Sequence, residues 1–241
     1  VKTIQFGKFD YIGDPCNTMR IFNELEVDEL MVLDISATST GSGPDFELLQ
    51  DIADQCFMPL AYGGGIRTVD DARRILASGF EKIVLNTGAV ECEGLVHDLS
   101  SQFGSQSVIA AIDVKQVRGQ YRCCVRSGTH EFGVDPVTMA KKLADDGAGE
   151  LLLTSIDREG TWSGFDLELV RLVSSEVGIP VVAHGGCGTV QDLEAVIHSA
   201  GASAAAVGSM FVYQSKGFGV LVNFPIPKDL KVVHEGKDPA V

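Results

Sequence analysis

Short apolar runs alternate with helical patterns, identical residues recur 121 positions apart, and polar residues gather where the apolar runs end. Together these predict an α/β fold, a (βα)8 TIM barrel made of two duplicated half-barrels, as a single domain over 1–241 with halves of about 1–121 and 122–241. The recurrence carries most weight. Asp14-Pro15 returns at Asp135-Pro136, Glu29-Leu30 at Glu150-Leu151, Pro59 at Pro180, and Thr68-Val69 at Thr189-Val190. One inserted residue then shifts the register to 122, pairing Gly79 with Gly201 and Asn86-Thr87 with Gly208-Ser209. An open doubly wound sheet is the structural alternative, and it has no reason to repeat at half its length. Seven βα units are visible, so the first strand of the first half is expected to lie ahead of Val1.

Each element has a local reason. Asp14-Pro15 opens a helix, with Asp as N-cap and Pro at the first helical position. Leu30 to Leu33 is an unbroken apolar run ending in Asp34, as expected of a parallel strand buried on both faces. A polar loop from Ser36 to Gly43 leads to a helix started by Pro44 and running to about Cys56. Strand Leu60 to Tyr62 precedes Gly63-Gly64-Gly65, and a helix from Thr68 or Val69 to Ala77 ends before Gly79. Strand Lys82 to Leu85 delivers Asn86-Thr87, and a helix covers roughly Glu93 to Phe103.

Val108 to Ile112 is the next buried strand and ends in Asp113; Val114 to Val125 then alternates around Arg118-Gly119 as a hairpin. Asp135-Pro136 starts a helix to about Asp145, strand Leu151 to Leu153 runs into Thr154–Thr161, and a helix spans about Asp166 to Val173. Strand Pro180 to Ala183, a helix after Thr189 and strand Ala204 to Val207 complete the count.

Composition limits the function classes. With 45% hydrophobic residues and mean hydropathy +0.15, the chain has enough apolar side chain for a large core. A net charge of −14 argues against nucleic acid, which needs a basic face. No apolar run is long enough to span a bilayer, and a cytoplasmic protein is the default. The six cysteines lack C-x-x-C spacing and a histidine at zinc-ligand spacing, which predicts free thiols and no metal; no cofactor is expected either.

The predicted strand ends carry the chemistry. Gly63 to Gly65, Asn86-Thr87, Gly185-Gly186 and Gly208-Ser209 let backbone approach an anion at the N-termini of the following helices. Tight turns need glycine too, but recurrence at the same place in both halves favours two phosphate sites, hence a ligand with a phosphate at each end. Asp113, at the end of a buried strand, is either a general acid/base or a structural carboxylate bonded to loop amides. Its partner carboxylate in the other half would fall upstream of Val1.

AIDVK (111–115), GAGELLLTSIDREGTWSGFD (147–166), YGGGI, KIVLNTGAV (82–90) and VAHGGCG resemble the cyclase subunit of imidazole glycerol phosphate synthase. The resemblance extends from Gly13 to about Phe211 and implies a barrel that takes ammonia from a glutaminase partner. Such a barrel closes an imidazole ring on a bis-phosphorylated substrate, releasing imidazole glycerol phosphate and an aminoimidazole carboxamide ribotide. By that resemblance Asp113 is a catalytic acid/base, Gly65, Asn86 and Thr87 hold one phosphate, and Gly186, Gly208 and Ser209 hold the other. Glu159-Gly160 matches a substrate loop where the family usually has Asp-Gly, and Lys2 matches a lysine of the mobile loop after strand 1. Glu29, Lys82 and Glu150 resemble the charged ring through which ammonia enters, the alternative being solvated charges at strand starts.

Departures keep rivals open. His184 replaces a usual small residue beside the second glycine pair, and Tyr62 does so before the first. The stretch after Tyr213, QSKGFGVLVNFPIPKDL, is closer to a paralogous branch associated with surface-polysaccharide amination. A sugar-phosphate isomerase on a sister barrel fits NTGAV and TSIDREGTWSGFD less well. A non-catalytic barrel that binds a phosphate ligand or a partner is the reading from another class.

Overall fold

The computed structural model describes residues 1–225. One sheet contains β1 (Leu30–Leu33), β2 (Leu60–Gly63), β3 (Lys82–Leu85), β4 (Val108–Val117), β5 (Gln120–Val125), β6 (His130–Glu131), β7 (Glu150–Ser155), β8 (Val181–His184) and β9 (Ala204–Ala206). Seven strands run parallel in the order β1-β2-β3-β4-β7-β8-β9; β5 returns antiparallel from the end of β4 as the expected hairpin, and β6, beyond that hairpin, pairs antiparallel with β5. The helices are α1 (Pro15–Glu24), α2 (Ala37–Thr40), α3 (Phe46–Ala53), α4 (Val69–Ala77), α5 (Thr87–Glu91), α6 (Leu95–Phe103), α7 (Pro136–Asp145), α8 (Leu167–Ser174), α9 (Val190–Glu194) and α10 (Ser209–Val212).

Strand periodicity splits the apolar residues into two layers. Ala61, Val84, Ile109, Ala111, Leu152 and Val182 form an inner cluster, with Met31 and Ala206 packed against it. All seven parallel strands therefore contribute to one interior, as they must when the sheet curls into the wall of a (βα)8 barrel. Their alternate residues, such as Ile83, Leu85, Leu151 and Leu153, face outward against Ile52, Ile75, Leu99, Leu143 and Leu169 of the helices. A third cluster joins Phe22 of α1 to Phe211 and Val212 of α10.

The recurrence seen in the sequence governs the helix starts. Asp14 accepts from the Asn17 amide and Asp135 from those of Val137 and Thr138. Thr68 with Asp71, and Thr189 with Asp192, close matching capping boxes on α4 and α9. Asp45 and Asp166, again 121 positions apart, cap α3 and α8.

Some boundaries differ from the sequence reading. Pro44 precedes the helix it was expected to start, because the Asp45 carboxylate bonds the Leu48 amide and takes the cap. The polar loop after β1 contains α2, organised by Asp34 Oδ1 accepting from the Ser36 and Ala37 amides. The expected Glu93–Phe103 helix is preceded by α5 and begins at Leu95, after Gly94 at φ 75°. β1 is half-buried rather than fully buried, with Leu33 exposed; among the described residues it pairs only with β2. Of the distinctive stretch after Tyr213, Asn223 and Phe224 lie near α10 and Phe211, whereas residues 226–230 fall outside the described residues.

Candidate active site

The sheet register brings three polar side chains into one row. Asp113 of β4 stands opposite Thr154 of β7, Thr154 opposite His184 of β8, and His184 opposite Ala206 of β9. Two positions below that row are Ala111, Leu152 and Val182, which belong to the inner core, so the row sits on top of the barrel's apolar plug. Burial there pushes the Asp113 carboxyl up to about 7, with the Thr154 hydroxyl bond pulling the other way. Burial, and then the charge of Lys2, push the His184 imidazole down to about 3, so it is neutral at physiological pH. Thr154 Oγ1 and His184 Nδ1 are 3.2 Å apart.

On either side lie the two glycine-built turns. Asn86 has φ −112° and ψ −82°, and Gly208 has φ −119° and ψ −81°, so the backbone enters α5 and α10 in the same conformation. The first residue of each helix, Thr87 or Ser209, is buried. Gly65 (φ 66°) and Gly186 (φ 105°) flank these turns, and a side chain on Gly186 would collide with the Gly164 carbonyl.

The two turns differ in their side chains. Asn86 Nδ2 donates to the Ala111 carbonyl at 3.1 Å and the Cys124 carbonyl at 3.4 Å, fastening β3 to β4 and β5. Thr87 Oγ1 accepts from the Arg126 amide at 2.9 Å. These groups hold the first turn together. The second turn opens on a pocket lined by Lys2, Glu159, Gly160, His184, Gly186 and Ser209 among others. The Lys2 ammonium lies so close to Gly208 that a side chain there would strike it.

A segment ahead of α1 lies over this pocket. Lys2 and Asp10 exchange backbone hydrogen bonds, and the Gln5 amide donates to the Glu159 carbonyl at 2.9 Å. Glu159, only 2% exposed, accepts from Thr3 Oγ1 at 2.9 Å and the Phe6 amide at 3.2 Å, with Lys2 Nζ 3.6 Å away. Its buried side chain thus has a cation nearby and two hydrogen-bond donors, the partners a polar group needs when it is removed from water. Gly160 sits against the Thr3 carbonyl.

At the opposite, N-terminal ends of the strands, Lys82 Nζ bonds Glu29 Oε2 at 2.7 Å and Glu150 Oε2 at 3.0 Å. Burial works against the Lys82 charge, yet the two carboxylates outweigh it and raise its pKa. These three residues form one linked cluster rather than separate solvated charges.

The site residues named from sequence therefore separate into a mouth group and a floor cluster. Asp113, Lys2, Glu159, Gly160, Gly186, Gly208 and Ser209 gather at the mouth with Gly65, Asn86 and Thr87, and Glu29, Lys82 and Glu150 at the floor. Tyr62 faces outward and packs edge-on to Phe80, away from the mouth. Thr154, Thr3 and Phe6 were not singled out from sequence. Thr154 shows itself only through cross-strand register, and the other two carry no motif signal. Among the described residues no cluster of three or more His, Cys, Asp or Glu is placed to hold a metal, and no helix is long and apolar enough to cross a membrane.

Fold and site together define the class: a (βα)8 barrel with its polar residues collected at the C-terminal mouth of the strands. The chain belongs to the histidine biosynthesis protein family, whose profile matches residues 1–216. It is 43% identical over 231 residues to a Leptospira interrogans protein provisionally named imidazole glycerol phosphate synthase subunit HisF, covering 95% of this chain and 91% of that one. A Pseudomonas aeruginosa protein provisionally named subunit hisF2 is 42% identical, covering 96% of this chain and 93% of its own. Imidazole glycerol phosphate synthase subunit HisF of Alkaliphilus metalliredigens is 41% identical over 214 residues, 88% of this chain and 85% of that one.

Proposed function

We propose that the chain is an ammonia-dependent cyclase/lyase. It would form imidazole glycerol phosphate and an aminoimidazole carboxamide ribotide from a bis-phosphorylated ribulosyl formimino substrate, with ammonia from a glutaminase subunit. The observation that carries this reading is Asp113, a carboxyl raised to about 7 and standing at the mouth between two turns of matching backbone. Ring closure and release move protons between nitrogen and oxygen, and a group titrating near the working pH serves both directions best. Two half-barrels, about 1–121 and 122–241, would each contribute one phosphate seat. Gly65, Asn86 and Thr87 would shape the first, and Gly186, Gly208 and Ser209 the second. Lys2 and Glu159-Gly160 would close over the substrate, and Glu29, Lys82 and Glu150 would admit ammonia from the floor.

The test is ammonium-driven turnover by Asp113→Asn. We expect a loss of at least about 100-fold with substrate affinity held within a few-fold; unchanged turnover overturns the assignment. A second reading keeps the barrel and the amidotransferase partner but places the reaction in surface-polysaccharide sugar amination. What favours it is His184, an imidazole where the resemblance leads one to expect a small residue, lining the second seat. Turnover of the ribulosyl formimino substrate decides between the two.

A further inference from the structure

The row Asp113–Thr154–His184 is more than a set of neighbours. Thr154 has one hydroxyl proton and lies between the other two, opposite Asp113 on one side and 3.2 Å from His184 Nδ1 on the other. His184 also lines the pocket at the second turn, near Lys2. The first half has no equivalent of it, since its partner in the 121-residue register is Gly63, where a side chain would crowd Leu33 and Val84. We propose that His184 is a second proton-carrying group of this site, linked to Asp113 by the Thr154 hydroxyl and presenting Nε2 to the ligand in the second seat. The identity of that ligand rests on the function proposed above; the linkage itself does not.

The protons balance without an outside reagent. With Asp113 ionised, Thr154 donates to the carboxylate and accepts from His184 Nδ1–H, which leaves a lone pair on Nε2. When Nε2 takes a proton from a bound hydroxyl or nitrogen, Nδ1–H passes to Thr154 and the threonine proton passes to Asp113. The result is a neutral carboxyl, an intact hydroxyl and a neutral imidazole with its proton on Nε2. The reverse shift makes Nε2 a donor's source. Neutral imidazole in both states suits a ring whose burial and neighbouring Lys2 oppose its cationic form. Among the described residues, the ionisable groups beside this row include Lys2, with Glu159 paired to it, Cys124, opposite Asp113 on β5, and its neighbour Cys123. Burial raises the Cys124 thiol to about 11 and the Cys123 thiol to about 12, whereas it brings the Asp113 carboxyl to about 7, near neutrality.

The experiment is nitrogen-15 NMR of the histidine rings in the ligand-free full chain, with His184 assigned by loss of its signals in His184→Asn. The His184 tautomer should move from Nε2–H to Nδ1–H as pH rises through about 7, and Thr154→Ser should preserve that switch. Thr154→Val, close in shape but without the hydroxyl, should abolish it. A tautomer indifferent to pH in the wild type, or a switch that survives in Thr154→Val, overturns the linkage. If the parent protein turns over, Thr154→Val and His184→Asn should each lower kcat by about 10-fold or more, with Thr154→Ser within about threefold; undiminished kcat in the first two overturns the proton-carrying role. A switching tautomer in a protein without cyclase turnover would instead retire the functional reading while leaving the linkage standing.

Discussion

Asp113 and His184 are perturbed in opposite senses by the same burial, and this has a signature in stability. The native Asp113 carboxyl holds its proton up to about 7, whereas an unfolded aspartate releases it near 3.8. Between those values the folded state binds more protons, so this residue makes stability fall as pH rises. The native His184 ring refuses a proton down to about 3, whereas an unfolded histidine takes one near 6.5, so this residue makes stability rise with pH over that window. From about pH 4 to 6.5 the two contributions oppose each other. Urea melts across that range should therefore slope upward with pH in Asp113→Asn and downward in His184→Asn, with the wild type between them. The carboxyl was legible in the sequence because an apolar run ended on it. Its link to His184 was not, since they lie on non-consecutive strands of the chain and meet only through β7. No spacing along the sequence encodes that meeting.

Helix starts were the most legible elements, because a cap is a local bond between residues three apart. The paired boxes on α4 and α9 make the duplication testable. Thr68→Ala and Thr189→Ala should each cost about 1 kcal/mol in denaturant melts, and the double variant should equal their sum within about 0.5 kcal/mol. Markedly unequal costs would mean that the two boxes have diverged in what they support. The elements that the sequence concealed are the short ones around the mouth. α2, α5 and α10 hold four or five residues each, too few for a helical period to register. Tertiary bonds place them instead, such as Arg126 N to Thr87 Oγ1 at the start of α5. The cover over the second turn is likewise tertiary, since its ties run from Thr3, Gln5 and Phe6 to Asp157 and Glu159, more than 150 positions away.

At the scale of the whole molecule, a net charge of −14 works against any anionic ligand, so the proposed phosphate binding would have to come from local donors. On the two-seat reading, inorganic phosphate should raise Tm, by an amount corresponding to about 2.7 kcal/mol at a hundredfold excess over Kd for each seat filled. Gly208→Ala would push the Lys2 ammonium aside and should weaken that shift. A Tm indifferent to phosphate in the wild type counts against both seats. Twin turns also have a geometric consequence. Asn86 and Gly208 share φ and ψ to within a few degrees, so the backbone on its own does not distinguish the head of a two-ended ligand from its tail. On the two-seat reading, polarity would be read by groups without a counterpart in the other half: the His184 imidazole, whose register partner is Gly63, and Lys2 beside Glu159. If the proposed two-ended ligand binds, a symmetric bisphosphate would enter in two equivalent orientations, whereas an asymmetric one would be sorted by that one-sided trio, the compass of the site.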